Sequence, residues 1–229
     1  MLFPPGRICQ VPVLDIRKLL LQLFAQWGKP AAIRTDNGEP FGLPSREAVP
    51  ILSLWLTAFG IRPILNRPRI PQENAKVERN QRTTSCWAEV YDCANLQELQ
   101  DKLDDACDLQ RNHYPVSKLN NVARSKVFKG LYEIERPFND LDFDEHKAWQ
   151  YLEKATHIRK VSATGLIAVY GSYFNVGYKH RGKAVRVKFQ ALDQSWIVSE
   201  ATSISLVKTI QDSRFSKENL FNLTVCQRT

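Results

Sequence analysis

The stretch AAIRTDNGEPFG (residues 31–42) decides how this chain is to be read. A short strand-like run, residues 31–36, ends on a carboxylate, Asp36, and Asn37-Gly38 turns the chain at once. Two roles are open to Asp36 at such a place. Its side chain can close the turn on the chain's own backbone, as Asp often does. Or it can face outward from the strand tip as one half of a metal site whose partner lies further on.

The segments on either side predict an α/β layer fold. Before the strand, residues 15–27 carry Ile16, Leu19, Leu20, Leu23, Phe24 and Trp27 at the spacing of one helical face, with Asp15 as cap, Gly28 as stop and Pro30 as a barrier. After it, a second helix precedes Gly60, with Ser45 as N-cap, Glu47 in its first turn, and Pro50 in that turn or marking a later start. Residues 61–66 form a second strand, a basic loop with two prolines follows, and a long helix covers residues 72–91. Asn95 and Glu98 make a capping-box pattern ahead of Leu96, Leu99, Leu103, Ala106 and Gln110, and that helix ends near His113–Pro115. Alternating helix and strand over residues 1–115 is the mark of a layered α/β domain.

The texture then changes. Residues 124–156 read as an acidic, irregular connector. From His157 short alternating runs, punctuated by Thr-Gly, Tyr-Gly, Arg-Gly and Asp-Gln, predict a small all-β barrel over 157–210, and 211–229 an appended, weakly ordered tail. The organisation expected is therefore a core at 1–123, a connector at 124–156, a barrel at 157–210 and a tail at 211–229.

Composition narrows the function. The 229 residues carry a formal charge of +8, which suits a polyanion and most simply nucleic acid. No apolar run is long enough to span a bilayer, so no membrane partner is expected. Five cysteines form no Cys-x-x-Cys pair and the four histidines no zinc pattern, so the thiols read as reduced packing residues of a cytoplasmic protein.

The partner of Asp36 is sought in NRPRIPQENAKVERNQRT (residues 66–83). Glu78 lies inside the long helix, with Asn74 one turn before it and Arg82 one turn after. Arg67, Arg69, Lys76, Arg79 and Arg82 surround it in sequence. A plain Glu78–Arg82 pair on a solvated helix is one reading. A carboxylate among cations that holds Mg²⁺ beside phosphates is the other, since Mg²⁺ takes one or two carboxylates plus substrate oxygens.

IRTDNGEPF followed by GIRPILNRPRIPQENAKVERNQRT resembles the retroviral-integrase superfamily, in particular bacterial insertion-sequence transposases of the DDE type. NHYPVSKLNNVARSKVF resembles the segment after that family's catalytic helix more loosely, through Asn112, Pro115 and Leu119, and the β-rich end resembles the small DNA-binding barrel that often follows. The resemblance implies a ribonuclease H-like integrase core, incomplete and without its first strands, then a small all-β barrel. It implies Mg²⁺-dependent (or Mn²⁺-dependent) strand transfer in DNA integration or transposition by a mobile element, in a bacterial cytoplasm at the nucleoid. The partners implied are double-stranded DNA, as transposon ends and target, and further copies of the chain in a homo-oligomer.

Residue by residue, Asp36 matches the family's second catalytic aspartate and Glu78 its final glutamate, both metal ligands, with Glu73 a rival for the second place. Arg67, Arg69, Asn74, Lys76, Arg79 and Arg82 are the expected nucleic-acid contacts of the helix, and Lys160, Lys183, Arg186 and Lys188 those of the barrel, with Arg181 beside them. The first catalytic aspartate has no counterpart here. Asp15 sits at a helix start, not on a strand, so the chain reads as the C-terminal part of such a protein with impaired catalysis and weakly held metal. The other reading is a catalytically inactive DNA-binding remnant that occupies transposon ends or associates with full-length transposase.

Overall fold

The computed structural model describes residues 12–42, 48–67, 69–203 and 205–225. The first elements follow the sequence closely. Helix α1 spans Val13–Trp27, strand β1 Ala32–Thr35, helix α2 Ile51–Ala58 and strand β2 Arg62–Leu65. Pro12 takes the N-cap position of α1, with no side-chain cap bond, so Asp15 is a first-turn residue rather than the cap expected. Gly28, at φ 81°, ends the helix and donates its N–H to Phe24 O. Pro50 is the N-cap of α2, which settles the later of its two expected starts. Ser45 and Glu47 lie outside the described residues. β1 and β2 pair in parallel, Ala32 with Arg62 through Thr35 with Leu65. Residues 31–36 read in the sequence as a buried strand, but β1 is only half-buried, with Arg34 exposed.

Two compact units divide the described chain. One holds residues 67 and 69–135. The other combines residues 12–66 with 136–225. The first is helical. A 3₁₀ turn, Pro71–Glu73, leads into α3, Ala75–Trp87, which is shorter than the predicted 72–91 and buries no residue. α4, Leu96–Asp108, begins at Asn95, whose side chain accepts the Glu98 N–H, while the Glu98 carboxylate reaches back to the Ala94 N–H at 2.8 Å. A π-helical turn, Leu109–His113, and a short helix α5, Arg124–Val127, follow. The interior of this unit is thin: Ala88, Cys93, Ala106 and Ala123 are buried with one polar side chain, Gln110. Gln110 donates to Thr84 Oγ1 and its carbonyl accepts from Arg124, so hydrogen bonds do part of the work of packing. With so few apolar contacts the cap matters. Asn95→Ala is expected to lower the stability of this unit by about 1 kcal/mol, seen as a reduced urea midpoint for its amide signals. Cys93 packs as the sequence suggested, whereas Cys86 is exposed.

The second unit has one continuous core. Helix α6, Glu145–Glu153, starts at Asp144, which accepts the His146 N–H. It buries Ala148, Trp149 and Leu152, and packs on α2. Strands β3 (Thr156–Lys160), β4 (Leu166–Val169), β5 (Ser172–Asn175), β6 (Ala184–Gln190), β7 (Ser195–Glu200) and β8 (Leu206–Gln211) follow, and then helix α7, Lys217–Asn222. β4 and β5 form a hairpin whose two-residue turn, Tyr170 (φ 47°) and Gly171 (φ 76°), has the doubly positive φ of a type I′ turn. The Tyr170 hydroxyl bonds both the N–H and the carbonyl of Val49 at 2.9 Å, tying this hairpin to the segment before α2.

The architecture is mixed α/β with several sheets, and it departs from expectation in three places. The strands of 157–210 do not close into a barrel among the described residues. β3-β6-β7-β8 is an open four-stranded sheet and β4–β5 a separate pair. Alternation fixes which residues point inward, but closure also needs a ladder between the end strands. Lys208 Nζ of β8 reaches Asn175 O of the hairpin at 2.7 Å, a side-chain bond and not a ladder. The connector is not irregular throughout, since it contains α6 and its Phe143, Ala148, Trp149 and Leu152 are core residues. Nor is the tail weakly ordered up to residue 225: Phe215 and Leu220 are fully buried, and Leu223 and Val225 nearly so. In both segments a few well-spaced apolar side chains outweigh the polar majority around them.

Candidate active-site carboxylates and cationic surfaces

Asp36 stands one residue beyond the C-terminal end of β1, exposed. Its Oδ1 accepts the Gly38 N–H at 3.0 Å, so the turn-closing role is real. Its Oδ2 carries no hydrogen bond among the described residues. One oxygen therefore holds the turn and the other is left without a protein partner there. Asn37 aims the turn: its Nδ2 donates to Asn66 O at 3.0 Å, joining the exits of β1 and β2. Backbone bonds brace the same exits, with Asn66 N–H on Thr35 O at 2.9 Å. Asn37 was read in the sequence only as a turn former. The signal for more was its place in the Asp-Asn-Gly triplet at the end of one of two adjacent strands.

Glu78, in the helical unit, is exposed in the first turn of α3, where the positive end of a helix favours a carboxylate. No ion pair joins it to Arg82 among the described residues. Its Oε1 instead accepts from Asn74 Nδ2 at 3.2 Å, and Oε2 has no bond among the described residues. The rival, Glu73, is engaged. It accepts the Arg67 backbone N–H and the Arg67 Nε, each at 2.7 Å, and clamps the loop ahead of α3. Arg67 is thus partly committed to structure, while Lys76, Arg79 and Arg82 project from an exposed helix and Arg69 sits at φ 60° in the loop.

The other expected cations lie in the second unit. Lys160 of β3 pairs with Ala184 of β6, and Arg186 and Lys188 follow at every second residue, so all three share one face. Across β7 that face continues with Ile197 and Ser199, and a groove of about 390 Å³ runs there between Arg186 and Lys188, Leu206 and the end of α6 at Glu153. Arg186 and Lys188 are spaced by about 6.6 Å along the strand. Lys183 precedes β6 in a turn, next to Glu200.

The oxygen donors of Asp36 and Glu78 suit a hard divalent cation. Among the described residues no group of three or more His, Cys, Asp or Glu side chains gathers as a metal centre. No helix among them is long and apolar enough to cross a membrane.

No family model matches the chain. Among solved structures it is similar to a chain in the cryo-EM structure of the simian T-cell lymphotropic virus intasome in complex with the PP2A regulatory subunit B56 gamma. The TM-score is 0.38 at 16% identity, over 88% of this chain and 63% of that one. The chain thus spans less than two thirds of the length of that one.

Proposed function

We propose that this protein acts on DNA as an integrase or transposase of the DDE type, a metal-dependent polynucleotidyl transferase, with Asp36 and Glu78 as two of its metal-ligating carboxylates. The observation that carries the reading is the setting of Asp36. It lies at the carboxyl end of a parallel strand pair, the place where open α/β sheets bind their ligands, and keeps one oxygen clear while the other fixes the turn. Glu78 supports it by holding an oxygen clear of the cations on its own helix. Bound Mg²⁺ or Mn²⁺ supplies activation of the attacking oxygen and charge stabilisation at the leaving one. The protein's own residues aim the two carboxylates and bring the phosphates to them. The helix cations and the row Lys160, Arg186 and Lys188 fit double-stranded DNA as the partner, and contacts of that kind position DNA without reading its sequence.

The 229 residues hold two of the three carboxylates that the resemblance implies, so the test is metal binding rather than turnover. Mn²⁺ titrated into the full chain and followed by electron paramagnetic resonance is expected to bind weakly. Asp36→Asn and Glu78→Gln should each weaken it by at least about tenfold, the loss seen when even an outer-shell partner of a metal is removed. Unchanged Mn²⁺ affinity in either variant would overturn the assignment.

A further inference from the structure

Asn66 carries a buried polar side chain that the reading above does not use. It follows β2 directly, and 7% of the residue is accessible. Its backbone is committed to the turn at Asp36. The N–H donates to Thr35 O at 2.9 Å, and the carbonyl accepts from Asn37 Nδ2 at 3.0 Å. The side-chain Oδ1, by contrast, is buried and accepts no hydrogen bond among the described residues. A buried amide oxygen left unpaired destabilises a fold where a hydrocarbon of the same shape would not. Nearly all such groups in folded proteins are satisfied, so one that is not calls for a partner.

The strand register narrows down that partner. β1 and β2 pair Thr35 with Leu65, and the Asn66 N–H on Thr35 O carries the pairing one residue further, which sets Asn66 beside Asp36. Neighbouring strands run about 4.8 Å apart, close enough for two short side chains to converge. Asp36 Oδ1 is held by the Gly38 N–H, and Oδ2 has no protein partner there. The joint exit of the two strands therefore holds two idle acceptors, one anionic and one neutral. Two acceptors side by side repel each other unless something positive lies between them.

We propose that Asn66 Oδ1 is an oxygen ligand, together with Asp36 Oδ2, for a divalent cation at the exit of β1 and β2. The inference rests on the reading of Asp36 as a metal-ligating carboxylate. An amide carbonyl is a hard, neutral donor, and aspartate with asparagine is the combination that holds Mg²⁺ in protein kinases. Neutrality has a use here. A second carboxylate in this place would repel Asp36 whenever the ion is away. Oδ1 also has no hydrogen bond among the described residues to give up when it turns to an ion.

The probe is Mn²⁺ alone, titrated into the full chain and followed by electron paramagnetic resonance, with the metal-free urea midpoint read on the same variants. Asn66→Leu keeps the approximate shape of the side chain and removes its oxygen. It is expected to bind Mn²⁺ about tenfold more weakly than the wild type. Its metal-free midpoint should be unchanged or higher, because the unpaired acceptor is gone. Asn66→Asp keeps an oxygen in place and should bind Mn²⁺ at least as tightly as the wild type, with a lower metal-free midpoint. In the wild type, the NMR signals of the Asn66 side-chain amide should move with added Mg²⁺ along the same saturation curve as the Gly38 N–H, which reports on Asp36. That reading stands even where a variant fails to fold. Wild-type affinity in Asn66→Leu, weak binding in Asn66→Asp, or an Asn66 side-chain signal that stays still while Gly38 moves overturns the assignment of Asn66 and leaves that of Asp36 standing. Weaker binding in Asn66→Leu that comes with a lower metal-free midpoint marks a structural residue and overturns it too. Absence of Mn²⁺ binding by the wild type, or unchanged binding in Asp36→Asn, overturns the reading of Asp36 and this inference with it.

Discussion

A chain ending at Gln211 is expected not to fold its second unit. The residues beyond that point look dispensable in the sequence, yet Phe215 and Leu220 are fully buried in the core that also holds Trp55, Phe59 and Trp196. Phe215 packs edge-on or tilted against Tyr170, Phe189 and Trp196, with ring centroids 5.2–5.7 Å apart. Its carbonyl accepts the indole N–H of Trp149 at 2.8 Å. Truncating a buried Phe or Leu to Ala costs about 2–5 kcal/mol each. Losing these two, with Leu223, Val225 and the backbone that orders them, removes as much as the whole stability of a typical domain, about 5–15 kcal/mol. The expected result is loss of the dispersed amide spectrum and of the cooperative tryptophan-fluorescence transition of this unit. A truncated chain that kept its wild-type urea midpoint would show the segment to be an appendage.

Asp212 carries the second large effect. It is 4% accessible, and its carboxylate accepts from the Trp196 indole at 2.8 Å and from Arg214 through both oxygens. Arg214 spends its other donors on Tyr170 O, Val169 O and Ser172 Oγ, so one guanidinium locks the β4–β5 turn to the end of β8. Asp212→Ala strands a largely desolvated guanidinium and orphans a buried indole N–H. Breaking a buried pair from one side costs about 3–5 kcal/mol, and the urea midpoint should fall accordingly. Replacing both partners, Asp212→Leu with Arg214→Met, should recover part of the loss, because the uncompensated charge goes too. A single-variant loss below about 1 kcal/mol, the range of exposed ion pairs, would mean the pair is solvent-screened.

The parts of this fold that could be read from sequence are those where one local signal suffices. Gly28 and Asn95 mark their helix ends as glycine and asparagine do, and the two short strands around α2 pair as neighbours. The turn at Asp36 was legible for the same reason, because Asp-Asn-Gly is strong local chemistry. What failed depends on distant partners. Trp149 and Phe215 lie among polar residues in the sequence, in helices or turns of nine residues or fewer, and partners far along the chain make core of them. Closure of the expected barrel depends on which edges meet, which alternation does not encode. At the candidate site, spacing left Glu78 open to Arg82 on one side and Asn74 on the other. The structure gives it to Asn74, since residues one turn either side of a glutamate are equally near and only rotamer geometry chooses.

The interleaving of the two units along the chain has a consequence for biosynthesis. Phe59 meets Phe143 with ring centroids 5.0 Å apart, and α2 packs on α6, although the entire helical unit is encoded between them. A ribosome at about 5–20 residues per second emits the apolar surface of α2 several seconds before its cover exists. During that wait Leu52, Leu54, Trp55 and Phe59 are open to chaperones or to other nascent chains. The helical unit, built from near neighbours in sequence, has everything it needs as soon as it emerges. Yield in cells should therefore respond to growth temperature and chaperone supply through the unit that begins first and finishes last.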